Sequence, residues 1–334
     1  MGRATIKDIA RHLKINPSTV SRALRDHPDV SKKKKEEIKE LAEKLGYKPN
    51  QNAINLRRGK SGIIGLIIPE ITHYFFPGLI KAIEQTVHDK GFQLLILQSN
   101  ENVEREIQNA EICEQLGVDG ILVSLTQHSS DCSHFQRIEE SGIPVIYFDR
   151  ISGNPGSYKV SMDGEQAAFE AMNYLLTKHP SFNKVAGMFG DERYSITNER
   201  ISGFRRALFE HGIKPVPTMF HFAHNAKEAE LIFESFWKSK KHPELLFMMT
   251  DEIFEGVLKA SHRLKLNLPR EMKMVLMSDG MLPELCEFKI PFVKTSGFRL
   301  GQEACSLLFR LMDKEQPSPK PGIFFIETPF VNPD

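Results

Sequence analysis

The chain has 334 residues, of which 40% are hydrophobic, and a formal charge of only +1. That length predicts two or three folded units with sizeable cores. No apolar run approaches a bilayer span and no apolar signal segment opens the chain, so a soluble, cytoplasmic protein with no membrane partner is expected. Four cysteines (Cys113, Cys132, Cys286, Cys305) are scattered without Cys-x-x-Cys or Cys/His clustering, which points to reduced thiols and away from a structural zinc site. The small net charge hides an asymmetry. Residues 1–60 carry sixteen Lys and Arg against seven Asp and Glu, a net +9, and the remainder carries −8. A basic head on an acidic body is the electrostatic footprint of a nucleic-acid-binding unit joined to something else.

Thr5 opens the first predicted helix as an N-cap, with Asp8 three residues on in a capping-box arrangement. Ile6, Ile9, Ala10 and Leu13 fall at helical spacing and form one apolar face. After Lys14 and Ile15, Asn16 can cap a second helix, with Pro17 at its first position, where a missing N–H costs nothing. Val20, Ala23 and Leu24 make its buried stripe, which leaves Ser18, Thr19, Ser21, Arg22 and Arg25 facing outward. Two short helices joined by a tight turn, the second presenting small hydroxyls and arginine, read as a helix-turn-helix. Small side chains let the helix backbone approach base edges, Arg22 can grip guanine with two hydrogen bonds, and serine and threonine reach bases or phosphates. The alternative is an ordinary surface helical hairpin.

Ser31 caps a third predicted helix, Lys32 to Leu45, whose Ile38, Leu41, Ala42 and Leu45 close a three-helix core, with Gly46 as its stop. Lys32 to Lys35 lie at its N-terminus, where the helix dipole disfavours cations. Contact with DNA phosphates offsets that repulsion and is the preferred reading over a solvated face. Residues 51–59 form a short polar segment between Pro49 and Gly59, long enough for a turn or two of helix. Helix nucleation is costly, so such a piece orders only against a partner, or else is a plain linker.

Thr5-Ile-Lys-Asp-Ile-Ala and Pro17-Ser-Thr-Val-Ser-Arg-Ala-Leu match, almost residue for residue, the DNA-binding signature of the lac repressor (LacI/GalR) family of bacterial transcription regulators, which the whole chain resembles. The resemblance implies a near-palindromic double-stranded operator read by Thr5, Asn16, Pro17, Ser18, Thr19, Ser21 and Arg22 of each subunit of a homodimer. It also implies a hinge helix at residues 49–60 that enters the minor groove, with Asn50, Ala53 and Leu56 matching the family pattern and Leu56 as the wedge.

From Ser61 the texture changes. Seven continuous apolar runs (Ile63–Ile68, Phe92–Leu97, Gly120–Val123, Val145–Phe148, Val185–Phe189, Leu245–Met249 and Met274–Met277) read as strands buried on both faces of parallel sheets. Amphipathic segments such as Phe76 to Lys90, Asn102 to Leu116, Gly164 to Lys178 and Asn198 to His211 separate most of them, giving doubly wound α/β units. There are too many strands for one compact sheet of this type. The expected fold is thus an N-terminal all-α helix-turn-helix domain (residues 1–48) plus an α/β core (61–334). The resemblance gives that core a periplasmic-binding-protein-like form of two doubly wound subdomains. Their expected boundaries are about 61–160 with 291–322, and 161–290 with 323–334.

Ligands of open parallel sheets bind beyond the carboxyl ends of the strands. There the apolar runs are followed by Ser124, Asp149, Asp251 and Asp279, while the first strand exits into Pro69 to Phe76, where aromatic side chains can stack on a sugar face or a base. Carboxylates accept hydrogen bonds from hydroxyls, which suits a polyol better than an anion, and Arg200 supplies donors in the opposite sense. Each aspartate is equally explained as a helix N-cap, Arg200 as a structural ion pair, and Tyr74 and Phe76 as core. The resemblance assigns Asp149, Arg200, Asp251 and Asp279 to effector contact, and His73, Phe75 and Ser124 complete the candidate set. Phe222 is the candidate for an aromatic lid.

An enzyme is not expected. Gly-x-Gly-x-x-Gly after a strand, a Walker loop, Gly-x-Ser-x-Gly and His-Glu-x-x-His are all missing from the sequence, and no metal or cofactor is called for. Asp149 and Asp279 as a glycosidase pair remain the enzymatic alternative. A sugar-binding protein and a regulator with a nucleobase effector are the others. The favoured reading is a repressor of carbohydrate metabolism genes under allosteric control by a sugar or sugar derivative.

Overall fold

A computed structural model describes residues 4–47, 60–72, 74–126, 129, 131–151, 154–238, 242–313, 315 and 317–332. It divides into two compact units, Met1–Ser61 and Gly62–Asp334. The first holds α1 (Ile6–Leu13), α2 (Pro17–Leu24) and α3 (Lys32–Lys44). The capping box forms: the Asp8 amide donates to Thr5 Oγ1 (3.3 Å) and the Thr5 amide donates to Asp8 Oδ2 (2.9 Å). Lys14 ends α1 in the left-handed conformation, and Asn16 Oδ1 caps α2 by accepting from the Ser18 amide at 2.9 Å. Ile9, Ala10, Val20, Ala23, Val30, Ile38 and Ala42 form the buried centre, with Leu13, Leu24, Leu41 and Leu45 half-buried around it. Ser31 stands at the N-cap of α3 but makes no side-chain cap bond, so that helix start is less tightly fastened than its sequence implies.

The second unit contains two six-stranded sheets. The first is built from β1 (Ile63–Ile68), α4 (Phe75–Asp89), β2 (Gln93–Gln98), α5 (Val103–Leu116), β3 (Gly120–Val123), α6 (Ser133–Glu140), β4 (Val145–Phe148) and β5 (Tyr158–Met162). The chain then supplies α7 (Gly164–Lys178), β6 (Val185–Phe189), α8 (Ser195–Glu210), β7 (Phe220–Phe222), α9 (Ala226–Lys238), β8 (Leu245–Met248), α10 (Asp251–Leu264), α11 (Leu268–Glu271), β9 (Lys273–Ser278), α12 (Met281–Leu285) and β10 (Phe292–Lys294) of the second. α13 (Gly297–Met312) and β11 (Gly322–Ile326) return to the first, and β12 (Phe330–Val331) ends in the second.

The strand orders are β11-β5-β4-β3-β1-β2 and β12-β10-β9-β8-β6-β7, all parallel except β12 against β10. Each lobe therefore needs a strand that the chain reaches only after visiting the other. The crossings lie after Met162, Lys294 and Ile326, each a little later than expected. Ser161 still belongs to β5, the strand beyond Pro291 pairs with β9 in the second sheet, and Ile323 to Ile326 pair with β5 in the first. A proline or a polar residue reads as a break in sequence, but ladder pairing carries each strand past it.

Residues such as Leu66, Leu79, Ile146, Phe148 and Leu300 fill one face of the first sheet under α4 and α13, and Val123, Phe135, Ile138 and Tyr147 fill the other under α5 and α6. The second lobe buries a ring cluster of Phe189, Phe204 and Phe247, with centroids 5.4–5.6 Å apart. Gly203 lets α8 lie against α7 at a distance no larger residue tolerates, because a Cβ there would collide with the Glu165 carbonyl.

Candidate functional sites: a recognition helix and a cleft between two lobes

On α2, Ser18, Arg22 and Arg25 are exposed, while Thr19 and Ser21 are half-buried. The Ser18 hydroxyl donates to Asn16 Oδ1 at 2.8 Å, which leaves its oxygen outward as an acceptor. Arg25 folds back on its own helix, donating from Nε to the Ser21 carbonyl (3.0 Å) and from one terminal nitrogen to Ser21 Oγ (3.2 Å). Arg22 is therefore the arginine of α2 free to reach outward. Of the lysine run, Lys35 pairs with Asp26 at 2.9 Å and Lys34 with Glu37 at 2.9 Å, while Lys32 and Lys33 are exposed. The hinge residues Asn50, Ala53 and Leu56 lie outside the described residues, as does His73.

The second unit carries a cleft of about 350 Å³ at the carboxyl ends of both sheets. The first lobe contributes Tyr74, Phe75, Phe76, Asp149 and Arg150. Residues around Asp191, Arg200, His224, Asp251 and Asp279 come from the second. Five sequence candidates, Phe75, Asp149, Arg200, Asp251 and Asp279, thus meet at one cavity. Ser124 does not: it is fully buried, with its hydroxyl hidden from solvent, and is no part of the cleft wall. Nor does Phe222 cover the mouth. It packs on Phe189 (centroids 6.3 Å apart), and the next three residues, Ala223, His224 and Asn225, line the cavity instead.

The aspartates at the strand ends have different tasks. Asp251 is buried at the start of α10; Ser278 Oγ donates to its Oδ1 at 2.5 Å and the Asp279 amide to its Oδ2 at 3.0 Å. Burial pushes its pKa up to about 6, against those two hydrogen bonds, which lower it. Asp251 is therefore a brace that fixes the end of β9. Asp279 is half-buried, and one of its oxygens accepts from the Met281 amide at 3.0 Å. Asp149 sits in the left-handed region (φ 58°), which a non-glycine residue rarely adopts, while its amide donates to the Val160 carbonyl at 3.2 Å. Across the cleft Arg200 donates to the Met249 carbonyl at 3.0 Å, and its buried Nε has no hydrogen-bond partner among the described residues. Burial lowers its pKa, while the carboxylates of Asp149 and Glu199 push it up. Its guanidinium and the carboxylates that line the same cavity supply donors and acceptors to a ligand that is both.

Several wall residues escaped the sequence reading: Arg150, Asp191, Tyr194, Thr197, His224 and Asn225. Asp191 was within reach, since it lies just beyond the apolar run of β6, one residue (Gly190) further from its strand than Asp149 is from β4. Hydrogen bonds from Arg193 hold its carboxyl far below the usual range, and His224 Nδ1 lies 3.5 Å away. Arg150 is anchored by Glu101 at 2.5 Å, and its guanidinium carbon lies 4.1 Å from the centre of the Tyr194 ring.

A three-helix unit with a groove-reading helix, attached to a two-lobed binding core, defines a ligand-responsive DNA-binding regulator. Residues 5–50 match the family of bacterial regulatory proteins of the lacI type, and residues 61–311 match the periplasmic binding proteins and sugar binding domain of the LacI family; the chain belongs to the LacI family. It is 26% identical over 317 residues to catabolite control protein A of Priestia megaterium, covering 93% of each chain. It is also 26% identical to the ribose operon repressor of Halalkalibacterium halodurans, covering 93% of this chain and 91% of that one. The fold matches the lac repressor dimer bound to operator and the anti-inducer ONPF, with a TM-score of 0.85 over 99% of this chain and 98% of that one at 17% identity. Among the described residues no helix is long and apolar enough to cross a membrane.

Proposed function

We propose that the protein is a homodimeric repressor of carbohydrate metabolism genes whose operator affinity is set by a sugar or sugar derivative in the cleft. The observation that carries this reading is the convergence of Asp149, Arg200 and Asp279 on one cavity in a chain that also exposes Ser18 and Arg22 on a helix-turn-helix. Carboxylates that accept from hydroxyls, a guanidinium that donates to ring or hydroxyl oxygens, and Phe75 at the wall form a polyol-binding chemistry. The names of the relatives, a catabolite control protein and a ribose operon repressor, support the carbohydrate assignment.

In this mechanism α2 of each subunit enters the major groove of one half-site, so a two-fold protein requires a near-palindromic operator. Asn50, Ala53 and Leu56 order in the central minor groove, with Leu56 opening a base step. Ligand in the cleft changes how the lobes meet, and with that the spacing of the two hinge segments. The protein regulates and does not turn its ligand over. Selection from a random duplex pool, repeated with neutral sugars, sugar acids, sugar phosphates and nucleobases, tests the proposal. It predicts one enriched inverted repeat whose affinity changes with a sugar. A pool in which nothing is enriched under any condition, or chemical turnover of the sugar, would overturn it.

A further inference from the structure

We infer that Tyr194 and Tyr74 latch the two lobes together across the cleft, with Tyr194 as the positioning residue through which occupancy of the cavity is converted into closure. Tyr194 stands at the N-cap of α8 in the second lobe, yet its ring packs on a residue of the first. The Arg150 guanidinium lies over its ring at 4.1 Å, and Glu101 in turn holds Arg150 at 2.5 Å. Arg150 follows β4 and Glu101 follows β2, so one ring joins two loops of one sheet to a helix of the other.

A second contact repeats the arrangement in the opposite direction. Tyr74, between β1 and α4, donates from its hydroxyl to Glu255 Oε2 (3.0 Å) and from its amide to Glu252 Oε1 (3.4 Å), both carboxylates on α10 of the second lobe. The Arg150–Tyr194 and Tyr74 contacts exist only while the lobes are close, because each has its two ends on different lobes, whereas the Glu101–Arg150 pair lies within the first. Tyr194 and Arg150 also line the cavity, so a ligand that fills it touches the latch itself. The side chain of Arg150 is 14% exposed, and its buried Nε has no hydrogen-bond partner among the described residues. This inference concerns the lobes alone and does not depend on which molecule binds or which operator is read.

The test is a distance measurement on the full chain. Spin labels on Glu84→Cys in the first lobe and Lys214→Cys in the second, both exposed sites, are read in a Cys286→Ser background, since Cys286 is the one thiol that is not buried. The expected result is one dominant short distance. Tyr194→Ala combined with Tyr74→Phe should shift it to longer values. Tyr194→Phe alone, which keeps the ring under Arg150 and removes only the hydroxyl, should shift it less than Tyr194→Ala. Arg150→Lys preserves the charge for Glu101 and removes the planar stack, so it separates stacking from ion pairing; its distances should fall between those of wild type and Tyr194→Ala. Cooperative thermal unfolding of each variant establishes that the lobes are intact. Superimposable distributions for wild type and the double variant would overturn the inference, as would a wild type whose dominant distance is already the long one.

Discussion

The two candidate sites handle water in opposite ways. On α2, Ser18 and Arg22 project into solvent and keep their hydration until a partner arrives. In the cleft, Asp251, Asp191 and Arg150 are already largely withdrawn from water and bonded within the protein, to Ser278 and the Asp279 amide, to Arg193 and to Glu101 respectively. Affinity at the first site is therefore gained by releasing counterions and should fall steeply with salt. At the second site a ligand must replace bonds that the protein makes with itself, which favours specificity and a conformational response over raw affinity.

The largest effect expected from that contrast is at Arg200. Arg200→Ala leaves Asp149 facing a lost cation and should cost about 2–5 kcal/mol in effector binding, while the selected duplex still binds; calorimetry and a gel-shift titration on the same preparation check both halves. A variant that binds effector normally would move the site away from this wall. Next is the brace at Asp251, whose pKa rises from 3.8 to about 6 on folding. A carboxyl raised on folding holds its proton more tightly in the native state, so the ionised form is penalised above that pKa and the penalty disappears as pH falls through 6 to below 3.8. Relative to Asp251→Asn, wild type should therefore gain about 3 kcal/mol of unfolding free energy between pH 7 and pH 3. Denaturant titrations at the two pH values measure it, and a pH-independent difference would mean that the site is not desolvated.

At the exposed site the effects are smaller and of another kind. Arg22→Ala should lose about 1–3 kcal/mol of discrimination at a single base pair, visible as relaxed preference at one position of a repeated selection. Asn16→Ala removes the cap on α2 and should cost about 1 kcal/mol of stability in the first unit. Lys33→Ala should leave sequence preference unchanged and reduce the salt slope by about 1. If it altered the preference instead, this lysine would be reading bases.

The same contrast governs how much could be read from the chain alone. The recognition unit is local: Thr5 caps with Asp8 and Asn16 with Ser18 two or three residues away, so periodicity and capping rules sufficed. The seven apolar runs are all strands, but β5, β7, β10, β11 and β12 were missed. In β5 the polar Lys159 and Ser161 interrupt the apolar pattern, although the strand is buried. β7, β10 and β12 are two or three residues long and owe their existence to pairing partners far away in sequence. The cleft divides likewise. Strand-end aspartates were visible because a topological rule points to them. Arg150, Tyr194 and His224 were not, because what makes them part of the wall is a neighbour more than thirty residues distant. Ser124 fulfilled the strand-end rule and still turned inward, since the rule fixes where a chain emerges and not which way a side chain faces.

The central claim is that one chain couples base reading to occupancy of the cleft. Coupling of this kind is reciprocal, so the effector dissociation constant, measured by calorimetry with and without a saturating concentration of the selected duplex, tests it most directly. The account predicts two different constants, with a ratio equal to the change in operator affinity caused by the effector. Identical constants would contradict it.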